Sequence, residues 1–511
     1  HMTIQRAATL AFLRRHAVFL IILLFVAVLA CYRLAESPLT GYDEGILVQM
    51  ASNAADHGRF DIRVAPDAFI SGAYMSTGFP ALAPVALFIR VFGTSLLTAR
   101  AVMVGFLIAF MIAFYAAAAG TFGRRAGALS AALMATHGSL YAYGKPVMGE
   151  IPGLFYFMLT LLGFHLLEER VRAGTIRSKQ TLLLVIATSL ALGLAAVTKP
   201  VFLVALPAAG LTLLLFRKRL PLSAGTITAS VLTLLVCGGA WIATQFSLQD
   251  NVQEILLFYR NPYLIQDVSG TIVENLKRLF TEGTPLYVVG LYAVWTASLA
   301  FRLRKRKDIS EQPHAAETCA WLFGVLILAA YLRTPGFYRY FFYANAAAVF
   351  AFPTALRVVI RNVMGFARSW NAKNLALDLS VFACAALIAF QTVHLFTKAF
   401  INTTYHSTQT AQLERYFSTE FEAWRKPYVY EAPEVVPFLR TRAYTQYMEL
   451  SGDGRFAVGV PLEEALASQP DTIIMNEKRW HDDLGTFAAY RLVAQVEHYA
   501  IAERSDLTPQ E

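Results

Sequence analysis

The sequence predicts an all-α polytopic membrane protein that ends in a small soluble α/β domain. Hydrophobic residues make up 56% of the 511 residues, charged residues only 15%, and the mean hydropathy is +0.47. Such a chain cannot bury its apolar surface around one aqueous core, so a bilayer must solvate much of it. Apolar runs close to the roughly 20 residues of a spanning helix recur along the first four fifths of the chain. The composition becomes typical of a soluble domain after Phe396, where charges, glycine and proline return.

About eleven apolar runs qualify as spanning helices, and they define a transmembrane domain over residues 1–400. The fifth and sixth runs are separated only by Thr198-Lys199-Pro200, which we interpret as a tight hairpin because proline cannot continue a helical hydrogen-bond ladder. The first run is longer than a usual signal core, so we expect a retained first helix. The predicted spans lie near residues 17–34, 98–119, 126–143, 151–167, 181–197, 200–216, 224–246, 285–301, 316–332, 341–356 and 376–395.

The basic residues indicate the orientation of the chain, because short cytoplasmic loops carry an excess of Lys and Arg. With the N-terminus inside, every predicted inner loop is basic, as at residues 124–125, 217–219 and 302–307. The net charge of +9 is therefore mostly explained by topology, and no nucleic-acid partner is predicted. The odd number of spans places the last segment, residues 401–511, on the outer face.

Two outer loops are long enough to carry structure of their own. Residues 35–97 form a long first outer loop, in which residues 43–54 are predicted to be an amphipathic helix along the membrane surface. Between the seventh and eighth spans, residues 252–259 and 271–280 show apolar residues at helical spacing. We interpret these two stretches as surface helices over a lateral cavity, with plain packing elements as the alternative.

The outer tail is typical of a small α/β domain. Residues 426–430 and 472–475 are predicted strands, residues 462–468 a helix, and residues 490–502 a strand pair. The tail contains no metal, nucleotide or nucleophile motif, so its sequence alone indicates no chemistry.

Acidic residues stand at two outer helix starts. Asp43 and Glu44 follow the first span, and carboxylates near low dielectric are costly to keep, which favours a functional role. The alternative is that Asp43 caps the next helix and Glu44 is stabilised by the helix dipole. Glu150, two residues before Pro152, occupies a similar position between the third and fourth spans. Two carboxylate sites at one membrane level can share a proton, orient a hydroxyl or hold a divalent cation.

Basic residues on the outer side run against the positive-inside trend, so they indicate a bound anion. In the segment at residues 333–343, Arg333 and Arg339 stand among aromatic residues that include Tyr338, which suits a phosphate attached to a sugar that stacks on rings. The alternative is an aromatic belt with arginines on lipid headgroups. The outer basic residues are Lys145, Lys199, Arg260, Arg333 and Arg339.

In this order, the motifs resemble the polytopic glycosyltransferases of the GT-C class, in the superfamily that contains the protein O-mannosyltransferases and the bacterial lipid A aminoarabinose transferase. The resemblance covers roughly residues 1–220 well and the rest mainly in architecture. The residues that carry it are Tyr42-Asp43-Glu44, Ser76-Thr77-Gly78, residues 87–93, Ala99-Arg100, Gly149-Glu150 and Thr198-Lys199-Pro200.

The resemblance implies a GT-C fold and an inverting glycosyltransferase that moves a sugar from a polyprenyl-phosphate donor to an acceptor hydroxyl of an envelope glycan, lipid or protein. It also implies the periplasmic face of a bacterial inner membrane. Asp43 would be the base, with Glu44 and Glu150 as further catalytic carboxylates; Glu150 would orient the acceptor or assist with a cation. No cofactor is certain, because metal use varies within the class; a divalent cation is left open. The donor phosphate would be bound by Lys199, Arg260, Arg333, Tyr338 and Arg339.

One motif departs from this pattern and two other functions stay open. Ser76-Thr77-Gly78 stands where the resemblance to the aminoarabinose transferase leads us to expect a lysine at the carrier phosphate, so aminoarabinose is not assumed to be the sugar. The span count and the surface helices also suit a transporter or flippase of a lipid-linked saccharide, although the sequence lacks two similar halves. The third function is a non-enzymatic envelope assembly or sensor protein that binds through its tail.

Overall fold

The computed structural model contains a helical membrane domain followed by a small C-terminal domain. The predicted boundary at residues 400–401 lies outside the described residues, as do Lys305, Arg306 and Lys307 of one predicted inner loop. The described residues are 2–175, 178–246, 250–261, 263, 265–304, 312–363, 370–398, 408–422, 425–450, 456–482 and 484–507.

The membrane domain is built from helices that are joined mostly by short connections. Within the described residues, eight of them are long and apolar enough to cross a membrane: the first, fourth, seventh, eighth, tenth, thirteenth, fifteenth and sixteenth. In chain order the helices are α1 (Met2–Cys31), α2 (Tyr42–His57), α3 (Phe79–Phe92), α4 (Leu96–Phe122), α5 (Arg124–Ala135), α6 (Ser139–Gly144), α7 (Glu150–Arg172), α8 (Lys179–Thr198), α9 (Ala205–Leu215), α10 (Ala224–Gln245), α11 (Val252–Arg260), α12 (Val268–Thr281), α13 (Gly283–Arg304), α14 (Ala315–Tyr331), α15 (Arg339–Val363) and α16 (Trp370–Thr397).

The other three predicted spans differ from continuous membrane-crossing helices. The span predicted near residues 126–143 is two helices, because α5 ends at Ala135 and α6 begins at Ser139. The Thr136 hydroxyl bonds back to the carbonyl of Ala132 at 2.9 Å at this break. The sixth and ninth predicted spans are shorter apolar helices, the sixth beginning with a 3₁₀ turn at Pro200–Val204, as the predicted hairpin requires. An unpredicted apolar helix, α3, lies within the first outer loop.

The predicted amphipathic helix of the first loop is α2, and protein packs on both of its sides. Every residue from Glu44 to Asn53 is buried, since one side of the helix packs on α3 and the other on the C-terminal domain. A Cβ added to Gly45 would overlap the carbonyl oxygen of Pro433, so glycine allows the two backbones to touch here. The apolar periodicity identified the helix, but it could not show that protein covers both sides.

The C-terminal domain, residues 408–507 as described, contains a six-stranded mixed sheet. After the hairpin β1 (Ile62–Ala65) and β2 (Ala68–Ile70) of the first loop, the elements are α17 (Gln409–Thr419), β3 (Pro427–Tyr430), β4 (Thr445–Glu449), β5 (Ala457–Gly459), α18 (Leu462–Ala467), β6 (Thr472–Asn476), α19 (Glu477–Asp482), β7 (Tyr490–Val496) and β8 (Tyr499–Arg504). The strand order in the sheet is β5-β4-β3-β6-β8-β7. Strand β3 is parallel to β4 and β6, and the other pairs are antiparallel. The predicted strands and helix are present, whereas β4 and β5 were not predicted.

Candidate active site

Three short segments that are far apart in sequence meet at the end of the membrane domain where α7 begins. The backbone N–H of Gly78 donates to the carbonyl of Thr198 at 2.8 Å, and a Cβ on Gly78 would overlap the carbonyl of Val197. Gly149 lies against the same Thr198 carbonyl and against Thr77. The Gln245 side chain donates to the carbonyl of Thr77 at 2.9 Å. The segments around Ser76, Glu150 and Lys199 are therefore fixed beside one another.

A cavity of about 630 Å³ opens beside this junction. Its charged lining residues are Asp43 from α2, Lys199 from the end of α8, Arg339 from the start of α15, and Glu449 from the C-terminal domain. Ser76 also lines it. Aromatic side chains form much of the remaining wall: Tyr42, Tyr74, Phe258, Tyr259, Tyr263, Phe337, Tyr340 and Tyr343.

Asp43 is half-buried at the cavity wall and does not cap its helix. The N-cap of α2 is Gly41, and no side chain provides a capping hydrogen bond there. The capping interpretation of Asp43 is therefore wrong. Among the described residues, no ion pair engages its carboxylate. Asp43 is consequently able to accept a proton or a hydrogen bond from a group in the cavity.

Glu44 has quite different surroundings and does not line the cavity. It is fully buried and accepts hydrogen bonds from Arg100 Nε at 2.9 Å and Arg100 Nη2 at 2.7 Å. It also accepts one from the backbone N–H of Val147 at 3.0 Å. Arg100 is itself fully buried. The structure therefore places Glu44, predicted as a catalytic acid, in a buried ion pair that joins α2, α4 and the start of the 145–149 connection.

Glu150 is connected to the cavity by its contact with Lys199. The Lys199 ammonium donates to Glu150 Oε1 at 2.5 Å, and Glu150 is fully buried at the first residue of α7. Its second oxygen, Oε2, has no hydrogen-bond partner among the described residues. Lys199 lines the cavity and Glu150 does not, so the hydrogen bond to the Glu150 carboxylate holds the Lys199 ammonium at the cavity wall.

Arg339 is the second cation of the cavity. Its guanidinium lies 4.6 Å from the centroid of the Phe337 ring, and it is close enough to Asp43 and Glu150 to interact with both carboxylates electrostatically. The predicted combination of arginine and aromatic rings is thus present for Arg339, in a position to meet an anion next to Asp43.

The remaining predicted phosphate-binding residues lie elsewhere. Arg260 and Arg333 line a neighbouring cavity of about 920 Å³ that shares Tyr263 and Tyr340 with the first. Tyr338 lines neither of these cavities; it is exposed and donates a hydrogen bond to Glu282. The outer cation Lys145 is buried and donates to the carbonyl of Tyr32 at 2.7 Å, and its burial lowers its pKa to about 7.

Several wall residues were not predicted from the sequence. The Tyr259 hydroxyl donates to the carbonyls of Ala73 at 2.7 Å and Met75 at 3.2 Å, which ties α11 to the first loop. Burial raises the pKa of Tyr259 and of Tyr42 well above the usual tyrosine range, and burial followed by the Glu254 carboxylate raises the pKa of Tyr74 to about 12. The only available signal was the aromatic content of α11.

The described residues contain few side chains that are placed to bind a metal ion together. They contain no group of three or more His, Cys, Asp or Glu side chains placed to hold one. Glu150 is paired with Lys199, so it does not stand ready beside Asp43 as a second oxygen ligand. The arrangement favours cationic side chains as the partners of an anion in this cavity.

Solved structures that are similar to this chain cover nearly all of it, the membrane domain and the C-terminal domain together. ArnT from Cupriavidus metallidurans, bound to undecaprenyl phosphate, matches with a TM-score of 0.65 over 96% of this chain and 98% of its own, at 14% identity. The chain has the GT-C fold. The GT-C oligosaccharyltransferase AglB from Archaeoglobus fulgidus, in complex with an inhibitory peptide and a dolichol-phosphate, matches with a TM-score of 0.51 over 97% of this chain and 75% of its own, at 12% identity.

The sequence comparison agrees with the predicted GT-C resemblance. Residues 87–249 match the family model described as dolichyl-phosphate-mannose-protein mannosyltransferase. No curated protein matches the chain in sequence. The family model and these similar GT-C structures all describe glycosyltransferases. The predicted fold class, an all-α polytopic GT-C protein with a small α/β domain, is confirmed.

Proposed function

We propose that this GT-C protein is an inverting glycosyltransferase that moves a sugar from a polyprenyl-phosphate donor to an acceptor hydroxyl. The observation that carries the proposal is the single cavity in which Asp43 faces Lys199 and Arg339. Undecaprenyl phosphate in ArnT and dolichol-phosphate in AglB support the class of donor. The basic loops support an orientation with the N-terminus in the cytoplasm and the cavity on the opposite face, which would be the periplasmic face of a bacterial inner membrane.

The charges of the cavity suit each step of such a transfer. Lys199 and Arg339 would bind the donor phosphate and stabilise the negative charge that it gains when its bond to the anomeric carbon breaks. Asp43 would take the proton of the acceptor hydroxyl as its oxygen forms the new bond to that carbon. Attack from the side opposite the phosphate inverts the configuration. The proton then leaves Asp43 for water, and the carrier phosphate departs.

The other predicted site residues receive supporting roles. Glu150 would position Lys199, because its carboxylate bonds the ammonium from behind. Arg260 and Arg333 would bind an anionic group in the neighbouring cavity, next to the wall formed by Tyr263 and Tyr340. We assign no donor contact to Tyr338, whose hydroxyl is bonded to Glu282.

A transfer assay on the purified full chain tests the proposal. In lipid nanodiscs with polyprenyl-phosphate sugars and envelope glycan, lipid or peptide acceptors, carrier phosphate should be released only when an acceptor is present. Asp43→Asn should lower the rate about 10²- to 10⁴-fold, the typical contribution of a positioned base. Asp67→Asn is the matched control, since Asp67 is an exposed aspartate of the same outer loop and lines none of the described cavities.

Other outcomes would replace the proposal in part or whole. Full turnover by the Asp43→Asn protein would remove Asp43 from the role of base. Translocation of labelled lipid-linked saccharide in proteoliposomes without covalent change would favour the transporter or flippase. A chain that is silent in both assays but binds envelope components through its tail would favour an assembly or sensor protein.

A further inference from the structure

The C-terminal domain forms part of the wall of the Asp43 cavity. Glu449, the last residue of β4, and Leu450 line it together with Asp43. Phe456, just before β5, lines the neighbouring cavity. The same edge of the outer domain therefore borders both cavities, although the sequence of this domain contains no recognisable motif.

Glu449 is fixed relative to Asp43 through α2. The Tyr42 hydroxyl donates to the backbone carbonyl of Glu449 at 3.1 Å, and Tyr42 immediately precedes Asp43. Two turns further along α2, Gln49 is bonded to Tyr444 and accepts a hydrogen bond from Gln446 at 3.2 Å. These buried contacts hold strand β4 against the helix that carries Asp43, so the two carboxylates belong to one rigid arrangement.

The charges of the cavity indicate which reactant Glu449 faces. A donor phosphate is attracted by Lys199 and Arg339, whereas a carboxylate close to the phosphate would raise its free energy. Glu449 is attached to the α2 side of the cavity, where Asp43 must meet the acceptor hydroxyl. Its half-buried carboxylate is an acceptor of hydrogen bonds only, so it suits a reactant that brings several O–H donors.

The aromatic lining favours a saccharide as that reactant. Tyr42, Tyr74 and Tyr259 line the cavity, and their hydroxyls are bonded to protein groups: Tyr42 to the Glu449 carbonyl, Tyr74 to Glu254 and Tyr259 to the Ala73 carbonyl. Ring faces pack on the C–H faces of sugars, and a carboxylate accepts from their hydroxyls. A peptide acceptor would gain less from such a wall, since most of its polar groups are amides.

On the basis of the proposed function, we propose that Glu449 is a specificity-determining residue that binds hydroxyl groups of a saccharide acceptor, so that the C-terminal domain takes part in choosing the acceptor. The hydrogen bonds from the saccharide to the carboxylate are the source of selectivity, and Leu450 closes the adjoining wall.

Steady-state kinetics on the full chain in nanodiscs test this role. With saturating donor and a lipopolysaccharide fraction as the varied acceptor, Glu449→Ala should raise the acceptor KM about 10- to 100-fold, as expected for lost hydrogen bonds to a charged group. Glu449→Gln should fall between, because its amide keeps one acceptor oxygen. The donor KM should not change. Glu464→Gln is the control, since Glu464 is exposed on the same domain and lines neither cavity.

A binding measurement separates this inference from the proposed function. In the Asp43→Asn background, labelled lipopolysaccharide should bind the full chain, and adding Glu449→Ala should weaken that binding by the same factor whether or not turnover is ever detected. Unchanged binding and an unchanged acceptor KM would overturn the role of Glu449. A raised donor KM alone would assign it to the donor, and preferential use of a Ser/Thr peptide over saccharides would overturn the class of acceptor.

Discussion

Asp43 and Glu44 are adjacent in sequence but face opposite environments. Successive residues of an α-helix point about 100° apart, so when Asp43 faces the cavity, Glu44 must point into the protein. There Glu44 meets Arg100, and both side chains are fully buried. An isolated buried charge is very unfavourable, so each of these two charged side chains needs the other as its counter-charge in order to stay buried. This pair fixes the start of α2 and therefore the position of Asp43.

Glu44→Gln should destabilise the protein by about 3–5 kcal/mol, because it leaves the Arg100 guanidinium buried without its counter-charge. Thermal unfolding of the purified protein, followed by intrinsic fluorescence, measures the effect. The control is Glu36→Gln, which removes a partly exposed pair with Arg33 that is worth less than about 1 kcal/mol. A double variant with Met at positions 44 and 100 should recover much of the loss, since no charge is then left buried.

The same variant tests the sequence-based prediction that Glu44 takes part in catalysis. If Glu44→Gln unfolded like the wild-type protein but lost transfer activity, a catalytic role would be supported and the structural interpretation would be wrong. If both stability and activity fell and the double variant restored both, Glu44 would be a structural residue only.

Among the elements, α2 has the most constrained position, because it is packed between the membrane domain and the C-terminal domain. Gly45→Ala should displace it, since the added methyl group would overlap the backbone of Pro433 and Glu434. A shift of about 1 Å at Asp43 is expected to lower kcat on the order of 10²-fold. The transfer assay at saturating substrate measures kcat.

Gly105→Ala in α4 is the matched control for this change. A Cβ at position 105 meets no atom within 4 Å, and alanine is a better helix former than glycine, so full activity and equal or slightly higher stability are expected. If Gly45→Ala retained the wild-type kcat, the close contact between α2 and the C-terminal domain would not control the position of Asp43.

The helices show which features of the fold could be predicted from the sequence. Hydropathy located the eight long helices because each one must cross the same thickness of hydrocarbon. It did not detect the break at residues 136–138, because apolar composition continues through it, and it placed α3 in a loop because 14 residues are too few to span. Periodicity identified α2, α11 and α12, but not what covers them.

The candidate site was less predictable, because its geometry depends on residues that are distant in sequence. Asp43, Lys199 and Arg339 were identified by type and outer location, and the structure brings them to one cavity. The ion pair between Glu150 and Lys199 joins residues 49 positions apart, and no local pattern encodes such a pair. Glu449 stands in a strand of ordinary composition, so only the docking of the C-terminal domain reveals its place.

The molecule as a whole has two unlike ends. The cavity and the C-terminal domain lie at the end where α7 begins, whereas the basic inner loops follow its other end, where Glu168 accepts a hydrogen bond from the backbone N–H of Ala315 at 2.9 Å. Arg219 donates to the carbonyl of Pro313 at 3.2 Å at that same end. This separation, together with the positive-inside rule, predicts that the cavity opens on the periplasmic side.

Cysteine labelling in intact cells measures this orientation directly. Cys31 is the one exposed cysteine of the chain, so Cys31→Ser provides the background. In it, Glu464→Cys in the C-terminal domain should react with a membrane-impermeant maleimide applied to spheroplasts, whereas Lys218→Cys in a basic loop should react only after permeabilisation; both positions are exposed. The opposite pattern would place Asp43 on the cytoplasmic side. A carrier-linked sugar would then have to react before it crosses the membrane, and the proposed periplasmic transfer would be excluded.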